Sequence, residues 1–174
     1  MIEKICVNPP NPCYPCAKLY ESSFPADERR HFDDLEALAA AENEMHIKTE
    51  YLDGEVLSFI IYWEFKDFIY VEHFAVNEQF RGNGHGGRIF KNFLRNSKKT
   101  LVLEVEPPEN VIASKRIEFY KRLGMFLLPF SYTQPPYSAE KSPVNMLIMS
   151  NKNIKSASEF EEIKSVIFEK VYVV

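Results

Sequence analysis

Apolar positions change period along this chain, and each change marks an element. Residues 2–7 read as a short strand that runs into the breaker cluster Asn8-Pro9-Pro10-Asn11-Pro12. Helical spacing follows over residues 16–23 and again over 27–41. In the second stretch Phe32, Leu35, Leu38 and Ala39 share a face behind an acidic start at Asp27 and Glu28. The period then shortens to that of strands over residues 44–52 and 55–65, joined by Asp53-Gly54, a dipeptide suited to a type I′ hairpin turn. A third run, residues 68–76, begins just past Lys66-Asp67. Three strands with such short connections are expected to be antiparallel neighbours.

After Val76 the chain turns polar and glycine-rich, then resumes as a helix with Ile89, Phe90, Phe93 and Leu94 on one face. A strand over residues 101–106 stops at Pro107-Pro108. Residues 110–123 predict a helix that aligns Ala113, Ile117, Tyr120 and Leu123 and ends at Gly124. Apolar runs over 125–132 and 144–150 flank the proline-rich loop at 134–137. A helix over about 158–169 leads to 171–174, read as an edge strand. Antiparallel strands first, then strand–helix–strand–helix, predict an α+β fold: a mixed, mainly antiparallel central sheet with helices on both faces, a three-layer α-β-α sandwich.

Composition narrows the function classes. The 174 residues, 45% hydrophobic and 26% charged, fit one soluble globular domain spanning 1–174. The longest apolar stretch, residues 57–63, is far short of the ~20 residues a membrane helix needs, so no membrane association is expected. The first residues carry no basic region followed by an apolar run, so no secretory signal is expected. The net charge of −4 is scattered, with no basic block to track a phosphate backbone, which excludes nucleic acid as a partner. Three cysteines are too few for a secreted disulfide framework and point to a reducing cytoplasm.

Candidate chemistry concentrates in one place. Four of the six glycines lie between positions 82 and 87, in Arg81-Gly82-Asn83-Gly84-His85-Gly86-Gly87. Backbone N–H groups free of Cβ atoms can surround an anion there, and the following helix adds its positive end. Gly82, Gly84 and Gly87 formally satisfy the dinucleotide pattern G-x-G-x-x-G, with Glu104 near the ribose-binding position. The context is wrong: residues 77–81 intervene after the strand, and an antiparallel meander comes first. A nucleoside triphosphate loop also fails, because no Gly-Lys-Ser/Thr follows.

Arg81-x-x-Gly84-x-Gly86, after a strand ending Phe74-Ala75-Val76, resembles the acyl-CoA signature of the GNAT N-acetyltransferases. The resemblance continues through Leu101-Val102-Leu103-Glu104-Val105 and through Phe119-Tyr120-Lys121-Arg122-Leu123-Gly124-Met125, covering about residues 68–126. It implies acetyl-CoA as co-substrate and no metal. It also implies that the amides of Arg81, Gly82, Asn83, Gly84, His85, Gly86 and Gly87 hold the CoA pyrophosphate, and that the main chain of Phe74, Ala75 and Val76 pairs with the pantetheine arm. Two departures stand out: His85 occupies a position usually Ile or Leu, and Ala113 one often Asn.

The implied reaction, acetyl transfer to a primary amine of a small molecule or peptide, moves two protons. The resemblance gives Tyr120 the role of acid to the leaving thiolate; the alternative for it is a core tyrosine. Glu72 is the candidate base. Strand alternation would put Tyr70, Glu72, Phe74 and Val76 on one buried face, where burial would raise the carboxyl pKa. A structural salt bridge competes equally with that role. A non-catalytic acyl-CoA sensor on the same fold is the alternative function. His73 reads as a core histidine, the run Asp27-Glu28-Arg29-Arg30 as a solvated helix start, and Cys13-Tyr14-Pro15-Cys16 as two structural thiols, since no second ligand pair accompanies them. The acidic balance favours a cationic acceptor, and the apolar C-terminal strands leave room for a homodimer.

Overall fold

The computed structural model describes residues 2–7, as backbone, and residues 16–172. The breaker cluster, Cys13 and the last two residues lie outside them. The strands are β1 (Ile2–Val7), β2 (Met45–Leu52), β3 (Glu55–Glu64), β4 (Phe68–Val76), β5 (Thr100–Val105), β6 (Phe126–Leu127), β7 (Tyr132–Gln134) and β8 (Val144–Ser150). The helices are α1 (Ala17–Ser23), α2 (Phe32–Ala41), α3 (His85–Asn96), α4 (Val111–Arg122) and α5 (Ala157–Lys170). The sheet runs β1-β2-β3-β4-β5-β8-β6, with β7 paired to β8. Only β4 and β5 pair in parallel; the other pairs are antiparallel.

Helices cover both faces, as the periodicity predicts. On one side Tyr20, Leu35, Phe160 and Ile167 from α1, α2 and α5 pack on Phe59, Ile61 and Trp63. On the other, Ile89, Phe90 and Phe93 of α3 and Ile117 and Tyr120 of α4 pack on Ile60, Ile69 and Leu103. The β2–β3 hairpin turns through Asp53 and Gly54 at φ of 52° and 82°, the left-handed pair a type I′ turn needs.

Four expectations are corrected. The helix expected over 27–41 is broken: a short 3₁₀ turn spans Ala26–Glu28, Arg29 is extended, and α2 begins at Phe32. Arg30 donates its backbone N–H to the Tyr20 hydroxyl at 2.9 Å and sends its side chain inward, 8% exposed, so this run is no solvated helix start. The apolar run 125–132 holds β6 and the first residue of β7, and Gln134 belongs to β7, not to the proline loop. Finally, Val171 and Tyr172 form no edge strand; both are buried against the site described next.

Candidate active site

The sheet splits between β4 and β5. Their parallel pairing ends at Val71 and Leu103, although β4 continues to Val76 and β5 to Val105. Beyond that point β5 is held by β8 on its far side, at Glu104↔Ile148 and Val105↔Leu147. The β4 edge facing the gap is therefore left without a strand partner, so its backbone groups from Glu72 onward remain available. A cavity of about 340 Å³ fills the split. Its walls include Phe74, Ala75, Val76 and Arg81, together with Tyr120 and Glu104 and with Ser23, His73 and Gln134.

Strand alternation breaks beside this gap. Ile61 pairs with His73 and Tyr62 with Val71, so Glu72 is the extra residue of a β-bulge on β4. Tyr70 packs in the α1/α2/α5 core, whereas Phe74 and Val76 pack in the α3/α4 core. The shared face expected for Tyr70, Glu72, Phe74 and Val76 does not exist, because one added residue inverts the parity of everything after it.

The bulge sends Glu72 toward Arg30. The Glu72 side chain is 0% exposed, and its Oε1 is ion-paired with Arg30 Nη1. Its Oε2 accepts from Trp63 Nε1 at 2.6 Å. Arg30 also donates to the Val171 carbonyl and lies 4.4 Å from the Tyr137 ring centre. Burial alone would raise the Glu72 carboxyl pKa, but the Arg30 charge, His73 and the Trp63 and Tyr137 hydrogen bonds hold it below its ordinary value. The upward shift expected for Glu72 is thus reversed. Arg30→Met is expected to cost about 3–5 kcal/mol of stability, because it strands a buried carboxylate. Urea unfolding measures this, and Arg30→Met with Glu72→Gln should regain part of the loss; an unchanged midpoint in the single variant would contradict the pairing.

A second carboxylate has the opposite surroundings. Glu104, on the gap-facing end of β5, accepts from the Tyr172 hydroxyl at 3.0 Å to each oxygen and from the Tyr132 hydroxyl. Tyr70 joins the cluster through Tyr172 at 2.8 Å. No described cation pairs with it. Desolvation is the main cause of a pKa pushed up to about 7; the tyrosine hydrogen bonds pull it down, and the Glu72 charge adds to the rise. Three tyrosines therefore steady a carboxylate that exchanges a proton near neutral pH. Residue spacing did not point to this cluster, although a lone acid within Leu-Val-Leu-Glu-Val was a visible anomaly.

Tyr120 sits on α4, 7% exposed, its ring edge-on to Phe90 at 5.0 Å. Its hydroxyl opens on the cavity and has no hydrogen-bond partner among the described residues. Burial raises its pKa to about 12, so it keeps its proton at neutral pH and remains a donor.

The glycine loop lines a neighbouring hollow that shares Phe74, Val76, Arg81 and Phe119 with this cavity. Gly82 and Gly84 take φ of 85° and 76°, conformations that suit glycine, and Gly84 caps α3. The first intrahelical bond is Arg88 N–H to the Gly84 carbonyl at 3.1 Å, so the amides of His85, Gly86 and Gly87 are free of such bonds and point out of the helix start. A Cβ on Gly86 would stand 3.3 Å from the Val76 side chain, which explains its smallness. Arg81 Nε donates to the Val76 carbonyl at 2.9 Å, tying the loop to β4. His85 is half-buried and Asn83 exposed. Elsewhere, Cys16 is a free, buried thiol with its pKa raised to about 11 by burial. Cys13 lies outside the described residues.

A split parallel pair beneath a loop of free amides defines a class of acyl-CoA-binding folds, and the comparisons agree. A model of the acetyltransferase (GNAT) family matches residues 13–125. The chain belongs to the GNAT acetyltransferase family. It is 32% identical over 101 residues to "Putative acetyltransferase YjbC" of Bacillus subtilis, a match covering 57% of this chain and half of that protein's own length. A solved GNAT-family structure from Bacteroides thetaiotaomicron is 34% identical, covers 90% of this chain and 89% of its own, and superposes with a TM-score of 0.84. A GNAT-family acetyltransferase from Elizabethkingia anophelis, solved with acetyl-CoA bound, shares the fold at 14% identity, covering 84% of this chain and 96% of its own with a TM-score of 0.56.

Proposed function

We propose that this protein transfers the acetyl group of acetyl-CoA to a primary amine, with Glu104 as proton acceptor and Tyr120 as proton donor. The observation that carries the reading is the cavity in the β4–β5 split, which is lined by a carboxylate and a protonated phenol and shares Phe74, Val76, Arg81 and Phe119 with the hollow of the glycine loop. At the loop, the N–H groups of residues 82–87 and the positive end of α3 hold the pyrophosphate; the Arg81 N–H expected to join them instead donates to the Glu78 carbonyl at 3.1 Å. The unpaired edge of Phe74, Ala75 and Val76 offers backbone groups to the pantetheine arm, except the Val76 carbonyl, which Arg81 Nε holds.

At the reacting end, Glu104 takes the proton that the amine nitrogen loses as its C–N bond forms. Tyr120 gives its proton to the sulfur as the C–S bond breaks. Each residue acts in the form its surroundings favour, since Glu104 is largely ionised above neutrality and Tyr120 is protonated. Glu72 is the weaker base on the same argument, because its two oxygens are engaged and its affinity for a proton is reduced.

Release of free CoA thiol across a panel of amines tests the transfer, and silence with every amine would overturn it. Gly87→Asp tests the anion site separately. A Cβ at Gly87 meets no atom within 4 Å, and its backbone lies in α3 without positive φ. An acid in the first turn of a helix adds a few tenths of a kcal/mol to about 1 kcal/mol of stability. The same charge should repel phosphate, so the melting temperature should hold or rise while acetyl-CoA affinity falls at least about tenfold. Unchanged affinity in calorimetry would remove the loop from the binding site.

A further inference from the structure

The same cavity carries buried polar atoms that no described residue satisfies. Among the described residues, Gln134 Nε2, His73 Nδ1 and Ser23 Oγ are buried side-chain atoms without a hydrogen-bond partner, and all three residues line this one cavity. Gln134 is 1% exposed and His73 is 3% exposed. A buried amide or imidazole left unpaired costs about 1–3 kcal/mol, so three such atoms around one space mark a place built for a polar ligand.

Their chemistry is directional. His73 Nε2 lies 2.9 Å from the Glu28 carbonyl, which can only accept, so Nε2 carries the proton. Burial keeps the ring neutral, so Nδ1 carries a lone pair, 3.9 Å from Glu72 Oε1 in the cavity lining. Gln134 Nε2 presents only N–H donors. The site thus offers two acceptors, His73 Nδ1 and the Glu104 carboxylate, for an amine N–H, and a neutral donor for an oxygen on the same molecule. Charge narrows that oxygen. Glu28, Glu72 and Glu104 line the cavity, Glu72 neutralised by Arg30; of the two lining cations Arg116 is paired with Glu106 and Arg81 belongs to the glycine loop. Glu28 and Glu104 oppose a further carboxylate carried by the ligand but tolerate a neutral carbonyl. A polyamine would leave the Gln134 donors unpaired.

We infer that the acceptor is an amine bearing a neighbouring amide carbonyl, an α-amino amide or a peptide N-terminus, and that Gln134 selects it by donating to that carbonyl. The inference rests on the acetyl-transfer reading of the same cavity, but equilibrium binding tests it without turnover. Calorimetry on the protein–CoA complex would compare alaninamide with 2-aminobutane, which lacks the carbonyl, with free alanine, spermidine and alanyl-alaninamide. Alaninamide should bind at least about tenfold tighter than 2-aminobutane, the worth of one buried hydrogen bond. Gln134→Leu should cut that ratio to within about twofold, and Gln134→Met, unbranched like Gln, serves if Leu does not fold. A merely structural Gln134 would weaken both amines alike and leave the ratio intact.

A preference for alanyl-alaninamide over alaninamide identifies a peptide source, and equal binding a small amide. Equal binding of alaninamide and 2-aminobutane, a ratio that survives in both variants, or tighter binding of alanine or spermidine would overturn the inference. Binding selectivity without thiol release would instead sink the transfer reading and leave this subsite standing.

Discussion

Glu104→Gln is expected to lower kcat/KM by about 10²–10⁴ and to abolish its rise with pH near neutrality. In the native protein the carboxyl pKa stands at about 7, raised chiefly by burial and further by the Glu72 charge, against the Tyr132, Tyr70 and Tyr172 hydrogen bonds. The proton-accepting form therefore grows as pH climbs through that value, and the rate should climb with it. Glutamine fills the same volume beside the same hydroxyls but cannot take a proton.

Stability should move the other way. A carboxyl that binds its proton more tightly when folded contributes stability that is present below its ordinary pKa and is lost as pH rises through about 7. Wild-type protein should thus lose stability relative to the Gln variant as pH rises from about 4.5 to 7. Urea unfolding at several pH values reads this directly. Glu72→Gln supplies the contrast: it should keep the rate–pH limb and lose stability through the broken Arg30 pair. A normal limb in Glu104→Gln, with the limb lost in Glu72→Gln, would return the base to Glu72.

The reason the two acids exchange roles lies in what a sequence pattern can carry. The hairpin at Asp53-Gly54, the amphipathic α3 and α4, and the glycine loop are local features, each set by residues within a turn or two of one another. Their positions are legible, and the resemblance over residues 68–126 is written in those same local segments. The surroundings of Glu72 and Glu104 are assembled from afar. Arg30 lies 42 positions from Glu72 and 141 from Val171, and Tyr172 lies 68 from Glu104. No spacing rule joins such residues; only sheet register and helix docking do. One bulge residue on β4 then reverses the parity on which the facing of Glu72 was argued. The physical premise survives, since a carboxylate inside a buried strand must be paired or must line a cleft. Both strands carry one, and the fold decides which is paired.

Tyr120→Phe should reduce turnover by about 10²–10³, the span for losing one positioned acid. The hydroxyl opens on the cavity and has no partner among the described residues, so its removal strands no buried group and should leave the melting temperature close to wild type. The ring, held edge-on by Phe90 at 5.0 Å and Phe119 at 5.1 Å, keeps its packing in the variant. Acetyl-CoA affinity should change little for the same reason. The effect should fall on kcat more than on KM, because the proton is needed only as the C–S bond breaks. It should also depend on the leaving group. A thioester whose thiol is more acidic needs less help to depart, so the gap between variant and wild type should narrow with an activated acetyl thioester of the same shape. A purely structural tyrosine predicts a lower melting temperature, near-normal turnover per folded molecule and no dependence on the thiol. Measuring kcat, melting temperature and leaving-group dependence on one preparation therefore separates the two roles, and near-normal kcat with lost stability would remove Tyr120 from the chemistry.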